Sequence, residues 1–187
     1  MNFELYSVLF SIKPEHCKNI AAGRKKYEFR KIIPKIPTPF KAYIYCTKDN
    51  IDICPKRIWW KADKTGFQHI MNSKVIGEFV CDDILGHCEM ANADISEQYG
   101  CIKREDILKY SDGREVYGLH ISNLVIYDKP KELREFGKEC NLDCPSIRCP
   151  YWKYQRVNAD EWDYDCTCSN IKPLTRPPQS YCYVMEV

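Results

Sequence analysis

One short segment constrains the fold more than any other, because the spacing of its apolar residues changes within it. Residues 14–21 begin with a proline and have Cys17 and Ile20 at helical spacing, which predicts a short helix. From residue 27 the apolar side chains alternate with a period of two, which predicts a strand. Gly23 lies between them, and glycine often ends a helix because it adopts the left-handed conformation without a Cβ clash.

The charges of this segment allow two interpretations. On the predicted strand, Tyr27 and Phe29 point one way, while Lys26, Glu28 and Arg30 point the other way. A carboxylate between cations on one strand face is either a solvated row of ion pairs or the floor of a polar site. The sequence pattern alone leaves both open.

In a polar site, the same residues suit two kinds of chemistry. A partly desolvated Lys25 has a lowered pKa and can act as a base or nucleophile, with Glu28 exchanging protons beside it. Alternatively, Glu28 holds Lys25 and Arg30 in place to bind a phosphate or the edge of a base. Glutamate can also accept a hydrogen bond from the exocyclic amine of cytosine.

The composition is that of a folded protein. The chain has 187 residues, of which 44% are hydrophobic and 29% charged, enough for one well-buried domain. We find no apolar run near the ~20 residues of a membrane helix and no secretory signal at the start. We therefore expect a cytoplasmic protein whose 12 cysteines are reduced or used for metal binding.

Most of the chain is predicted to be strand. The patterns predict strands at residues 8–12, 42–47, 75–81, 117–127 and 180–187, short helices at 103–110 and 131–136, and an ordered proline-rich loop at 32–40. Gly77 marks a candidate bulge. With few helices and no regular βαβ alternation, the expected fold is α+β and β-dominated, a closed or nearly closed small β-barrel with short flanking helices.

A cysteine-rich insertion is predicted at residues 138–173, before the final strand. Four thiolates would complete a tetrahedral zinc site and order a segment that lacks aliphatic residues. An iron–sulfur cluster would use the same ligands, and free thiols or disulfides formed after purification are further alternatives. The five candidate ligands, of which four would be used, are Cys140, Cys144, Cys149, Cys166 and Cys168.

Two adjacent tryptophans, Trp59 and Trp60, have basic residues both before and after them in the sequence. Indole rings among cations are typical of sites for single-stranded nucleic acid, where bases stack on the rings and cations meet phosphates. In the alternative interpretation, one ring covers the core and the other is a half-exposed lid. Because neighbouring residues of a strand face opposite ways, at most one ring is expected to stack on a ligand.

The basic segment resembles a known signature. Gly23-x-Lys25-x-x-Glu28-x-Arg30 matches the G-x-K-x-x-E-x-R pattern of ASCH domains, a branch of the PUA-like superfamily. Three flanking stretches are also similar to that family: Ser-Ile-Lys-Pro at residues 11–14, Lys-Val-Ile-Gly-Glu-Phe at 74–79 and Pro-Pro-Gln-Ser-Tyr-Cys-Tyr at 177–183. The resemblance covers about residues 5–137 and 174–187 of what would be a single ASCH-type domain spanning 1–187.

The resemblance implies a small β-barrel whose cleft, beside the signature, binds RNA, a nucleotide or a modified nucleoside. We expect the signature residues Lys25, Glu28 and Arg30 to line this cleft. The flanking residues expected to help them are Lys13, Gln179, Ser180 and Tyr181.

Some ASCH proteins are enzymes, which gives an alternative function. One subfamily is an amidohydrolase of N4-acetylated cytidine nucleosides, and another member has been described as a ribonuclease. In the amidohydrolase pattern a threonine stands where this chain has Glu28. We therefore expect a binding module first. The alternatives are a hydrolase or ribonuclease with Lys25 and Glu28 as its acid–base pair, or a protein–protein module whose insertion is the interface.

Overall fold

A seven-stranded sheet forms the centre of the computed structural model. The backbone is described for residues 7–48, 59–86, 95–139, 152–158, 161–166 and 171–187, and the side chains for 7–48, 59–86, 95–138 and 171–187. Two α-helices, α1 (Pro14–Ala21) and α2 (Arg104–Ser111), lie in these ranges. The strands are β1 (Ser7–Ile12), β2 (Tyr27–Arg30), β3 (Phe40–Cys46), β4 (Trp60–Ala62), β5 (Gln68–Ile70), β6 (Lys74–Cys81), β7 (Ile84–Leu85), β8 (Tyr117–His120), β9 (Ser122–Lys131), β10 (Phe136–Glu139), β11 (Trp152–Asn158), β12 (Glu161–Cys166), β13 (Ile171–Pro173) and β14 (Tyr181–Glu186).

The central sheet has the order β13-β10-β14-β1-β3-β6-β9. Its middle strand β1 runs parallel to β3 and antiparallel to β14. Alternate residues of β1 therefore face two different cores. Phe10 and its neighbours two residues away pack with Cys17 and Ile20 of α1, while Leu9 packs with Phe136 on the other face of the sheet.

A smaller sheet, in the order β2-β8-β7, positions the charged strand β2. Phe29 of β2 packs with Ile107 of α2 and Val116 in a third apolar cluster, in which Tyr27 also takes part. Because side chains alternate along a strand, Glu28 and Arg30 face away from this cluster. The predicted division of the strand into an apolar and a charged face is therefore observed.

The expected closed barrel is not found among the described residues. The strand predicted at residues 117–127 is divided at Ile121: β8 pairs with β2, and β9 pairs with β6. Ile121 N donates a hydrogen bond to Lys26 O, and Asn123 takes a left-handed φ of 46°. The chain thus passes from one sheet to the other, which leaves β9 and β13 at the edges of an open sheet.

The other predicted strands and α-helices agree with the structure to within about two residues, whereas β4, β5, β7, β11, β12 and β13 were not predicted. At residues 131–136 a single helical turn (Leu133–Glu135) replaces the predicted helix, and β10 follows at once. The register of β6 shifts against both its neighbours near Gly77, as expected for a bulge. A Cβ on Gly77 would lie 2.3 Å from Val125 O, so this close approach requires glycine.

The cysteine-rich stretch contains an antiparallel hairpin, β11–β12. Cys166 belongs to β12, whose side chains are not described, and Cys140, Cys144, Cys149 and Cys168 lie outside the described residues. The metal site therefore stays a prediction. Among the side chains that are described, no group of three His, Cys, Asp or Glu residues could hold a metal ion. No helix in the described ranges is long and apolar enough to cross a membrane.

Candidate ligand-binding cleft

A cleft of about 870 Å³ is lined by Thr47 and by residues of four segments within 11–19, 25–30, 101–110 and 177–180. One wall is the end of β1 and the start of α1, and the charged face of β2 forms another part. Residues 101–110, which lead into and form α2, supply a third part, and residues 177–180 before β14 supply the fourth. The site therefore depends on the tertiary fold.

Lys25 is almost fully buried in this cleft, with its side chain 1% exposed. The turn after α1 places it there: Gly23 has a φ of 69°, and the N–H groups of Arg24 and Lys25 both donate to Asn19 O. Lys25 Nζ donates a 2.7 Å hydrogen bond to Gly100 O and lies 4.5 Å from the Phe29 ring centre. Burial lowers the pKa of Lys25, and the nearby Glu28 carboxylate only partly opposes that effect.

Glu28 is buried, and only one of its two carboxylate oxygens has a close partner. Its Oε1 atom lies 3.0 Å from Arg30 Nη2. Its Oε2 atom lies 3.7 Å from Lys25 Nζ, too far for a hydrogen bond, and has no hydrogen-bond partner in the described structure. A buried carboxylate oxygen without a partner is energetically costly, so Oε2 is suited to accept a hydrogen bond from a ligand.

Arg30 connects β2 to β1 and to the segment before β14 through hydrogen bonds. Its Nη2 atom donates to Ser11 O at 2.8 Å, and Nη1 contacts both the carbonyl and the hydroxyl oxygen of Ser180 at 3.3 and 3.4 Å. The guanidinium also lies 5.2 Å from the Phe10 ring centre. This planar group thus joins β2, β1 and the segment before β14 in a geometry that lysine could not reproduce.

The alternative of a solvated ion-pair row is therefore excluded for these three residues. Lys25, Glu28 and Arg30 are between 2% and 7% exposed, and all three line the cleft. Three other predicted residues line it as well: Lys13 and Gln179 are exposed, and Ser180 is half-buried. The structure brings together six of the predicted residues.

Three other predicted residues do not line the cleft. The ring of Tyr181 packs near Phe10, and its hydroxyl group donates to Ile33 O at 2.9 Å. Trp59 is partly buried against the main core, whereas Trp60 is 50% exposed on the β4–β5 hairpin. The two indoles differ in burial, as the alternation of a strand predicts.

The helix α2 supplies cleft residues that sequence reasoning missed. Asp106 and Tyr110 have the spacing i, i+4 and share one face of α2, Lys103 directly precedes the helix, and all three line the cleft. Ile107 and Ser111 are buried. The helix itself was predicted, at residues 103–110. Its position beside the signature was not, because that position depends on contacts between residues distant in sequence.

His16 is a second residue whose role the sequence did not indicate. It lies in the first turn of α1, lines the cleft, and has a buried Nδ1 atom without a hydrogen-bond partner in the described structure. Burial lowers the pKa of His16, and the nearby ammonium group of Lys25 lowers it further. A neutral imidazole is therefore favoured beside Lys25.

No protein-family model and no curated protein matches the chain. Solved structures do resemble it. The crystal structure of ASCH from Zymomonas mobilis is 18% identical, with a TM-score of 0.49 over 68% of this chain and 73% of that chain. A tyrosine-to-phenylalanine mutant of ASCH from the same organism is 16% identical and has the same TM-score. That match covers 68% of this chain and 76% of that chain.

Proposed function

We propose that this chain is an ASCH-type, PUA-like module that binds RNA, a nucleotide or a modified nucleoside in the cleft. The proposal rests on one observation above all: Glu28 Oε2, a buried acceptor without a hydrogen-bond partner in the described structure, lies beside the buried donor Lys25 Nζ. The G-x-K-x-x-E-x-R signature, whose Lys25, Glu28 and Arg30 line this cleft, supports the family.

The two atoms suit the edge of a base. Lys25 Nζ has three N–H donors, of which one is used by Gly100 O, and Glu28 Oε2 accepts. Bases present hydrogen-bond donors and acceptors close together along one edge, so one base can engage both groups. Lys13 and Lys103 at the exposed rim supply cations for phosphate groups.

Binding is tested with fluorescein-labelled, mixed-sequence single-stranded RNA and with the four ribonucleoside monophosphates. We expect the wild type to bind at least one of these probes at low salt, and RNA binding to weaken as salt rises. Glu28→Gln keeps the shape but removes the charge, so affinity should fall roughly 10- to 100-fold. Glu78→Gln is the matched control, because Glu78 contacts Lys41 and Tyr127 and is not a cleft residue. A wild type that binds none of the probes at low salt contradicts the proposal.

A second candidate function is hydrolysis, and one observation favours it. The lowered pKa of Lys25, together with a carboxylate 3.7 Å from its nitrogen, is an arrangement suited to general base or nucleophilic chemistry. In amide hydrolysis, water would add across the acyl–nitrogen bond of an acylated nucleoside and release the amine and a carboxylate.

Product analysis separates the two functions. The protein is incubated with N4-acetylcytidine and, separately, with RNA, and the products are resolved by chromatography. An enzyme would release cytidine and acetate, or RNA fragments, and Lys25→Met would abolish the product. A binding module would leave both substrates intact while still binding a probe.

A further inference from the structure

Tyr110 is the exposed aromatic side chain of the cleft. Two phenyl-type rings belong to the described cleft lining, those of Phe29 and Tyr110. Phe29 is 6% exposed, and its ring is covered by Lys25 and by the close approach of Gly100. Tyr110 is 41% exposed, so its ring is accessible to a ligand in the cleft.

The helix α2 holds Tyr110 on the cleft face. Asp106 precedes it by four residues on the same helical face, while Ile107 packs into the apolar cluster around Phe29. This burial fixes the rotation of the helix about its axis. The tyrosine ring is therefore positioned by a packed helix and not by a loop.

A cation lies against the same ring. Lys31 Nζ is 4.9 Å from the centre of the Tyr110 ring, within the range of a cation–π contact. Lys31 directly follows Arg30, which contacts Ser180, so consecutive residues contact two different parts of the cleft wall. Because the ammonium group covers one face of the ring, a flat aromatic ligand would stack on the other face, with a positive charge close to its phosphate.

We propose that Tyr110 is the stacking platform for the nucleobase, with Lys31 as the cation that accompanies it. This inference rests on the proposed function and specifies it further: the recognised part of the ligand is an unpaired base, stacked on Tyr110. It also assigns to α2 the role that the sequence suggested for Trp59 and Trp60. Aromatic stacking of an unpaired base is common in recognition of single-stranded RNA.

The test compares two labelled probes with the wild type and Tyr110 variants. One probe is a mixed-sequence RNA of about twelve nucleotides, and the other is an abasic ribose-phosphate oligomer of the same length. Tyr110→Ala should weaken binding of the RNA roughly 5- to 150-fold and leave binding of the abasic oligomer unchanged, because only the former has bases to stack. Tyr110→Phe and Tyr110→Trp should bind the RNA within about twofold of the wild type, since both keep a flat ring.

Tyr99→Ala is the matched control. Tyr99 is 44% exposed, similar to Tyr110, but does not line the cleft, so its loss should leave RNA affinity unchanged. The stacking role is overturned if Tyr110→Ala binds RNA as tightly as the wild type, if it weakens both probes equally, or if Tyr99→Ala has the same effect. If Tyr110→Ala alone leaves affinity unchanged while Glu28→Gln reduces it, only the stacking role fails. If the wild type binds no RNA, nucleotide or abasic probe, the proposed function fails with it.

Discussion

The ammonium group of Lys25 is held by the backbone of Gly100, whose carbonyl oxygen lies 2.7 Å from Nζ. The neighbouring backbone makes a second link, since Lys26 N donates to Tyr99 O at 2.6 Å. The signature turn is thereby joined to the segment that leads into α2. Lys25 contributes to the cleft in two ways, as a buried donor and as a contact that holds the opposite wall.

Gly100→Ala should destabilise the protein and weaken the cleft. A Cβ at this position would lie 2.3 Å from Phe29 Cζ and 2.5 Å from Ser96 O, so the turn and the ring must move apart. Overpacking of this kind costs about 1–3 kcal/mol of unfolding free energy, measured by urea denaturation. Because the carbonyl that holds Lys25 moves as well, RNA affinity should fall too.

Gly66→Ala is the control for that variant. Gly66 has a φ of 84° in the β4–β5 turn, so alanine strains its backbone, but nothing lies within 4 Å of the added carbon and the turn is outside the cleft. It should lower stability by about 1 kcal/mol and leave RNA affinity unchanged. Equal effects of the two variants on affinity would contradict the assigned role of Gly100.

Glu28→Ala should be among the most destabilising substitutions in the cleft. It removes the carboxylate that lies between Lys25 and Arg30, and so leaves two buried cations without their counter-charge. Breaking a buried ion pair typically costs about 3–5 kcal/mol, which chemical denaturation would detect. Glu28→Gln keeps an acceptor oxygen in place and should cost less. If Glu28→Ala lowered the free energy of unfolding by less than about 0.5 kcal/mol, the ion pairs of Glu28 with Lys25 and Arg30 would be solvated.

Arg30→Lys should loosen the cleft wall at residues 177–180. Lysine cannot make the contacts of the guanidinium to Ser11 O, to Ser180 and to Glu28 at the same time. We expect a loss of about 1–3 kcal/mol and faster amide hydrogen exchange near Ser180. Arg24→Lys is the matched control.

The control arginine lies in the same turn but is exposed and contacts the Asn19 side chain. Its replacement by lysine should change stability by less than about 0.5 kcal/mol, because exposed contacts contribute little. If Arg30→Lys changed the free energy of unfolding as little as Arg24→Lys does, the contacts of Arg30 to Ser11, Ser180 and Glu28 would not stabilise the cleft.

His16 should make stability fall as the solution becomes acidic. Burial, and secondly Lys25, hold its folded-state pKa below the ordinary value of 6.5, so the unfolded chain takes up the proton first. The contribution of His16 to the free energy of unfolding is therefore fully present above about pH 6.5, and it is lost as the pH falls through the folded-state pKa. Urea denaturation at about pH 7.5 and about pH 5.5 should show a larger loss for the wild type than for His16→Gln. Equal losses would contradict this role for His16.

The elements that the sequence predicted well depend on local signals. The helix, glycine and strand around Gly23 are specified by spacing and by a left-handed residue, both visible within residues 14–30. The division of β2 into a charged and an apolar face follows from the same pattern. That the charged face is buried, with Glu28 and Arg30 under 8% exposed, depends on where the remote residues of the cleft wall lie.

The elements that were predicted wrongly depend on distant pairing. Ile121 lies within a stretch predicted as one strand, yet the chain turns there because β8 pairs with β2 while β9 pairs with β6. Residues 136–139 became a strand because β14 and β13 pair with them on either side. In Tyr181, strand alternation directs the ring to the core, although its neighbour Ser180 reaches the cleft.

The pairing of β1 with β14 also has a consequence for synthesis. Residues 177–180 are made about 150 residues after Arg30, yet Ser180 O accepts from Ser11 N at 2.9 Å and from Arg30. A ribosome-bound chain that ends before Ser180 has the whole signature but lacks a wall of the cleft and two partners of its arginine. The binding site is therefore expected to become competent only when β14 has emerged from the ribosome, so a nascent chain that ends before Ser180 would have no ligand affinity.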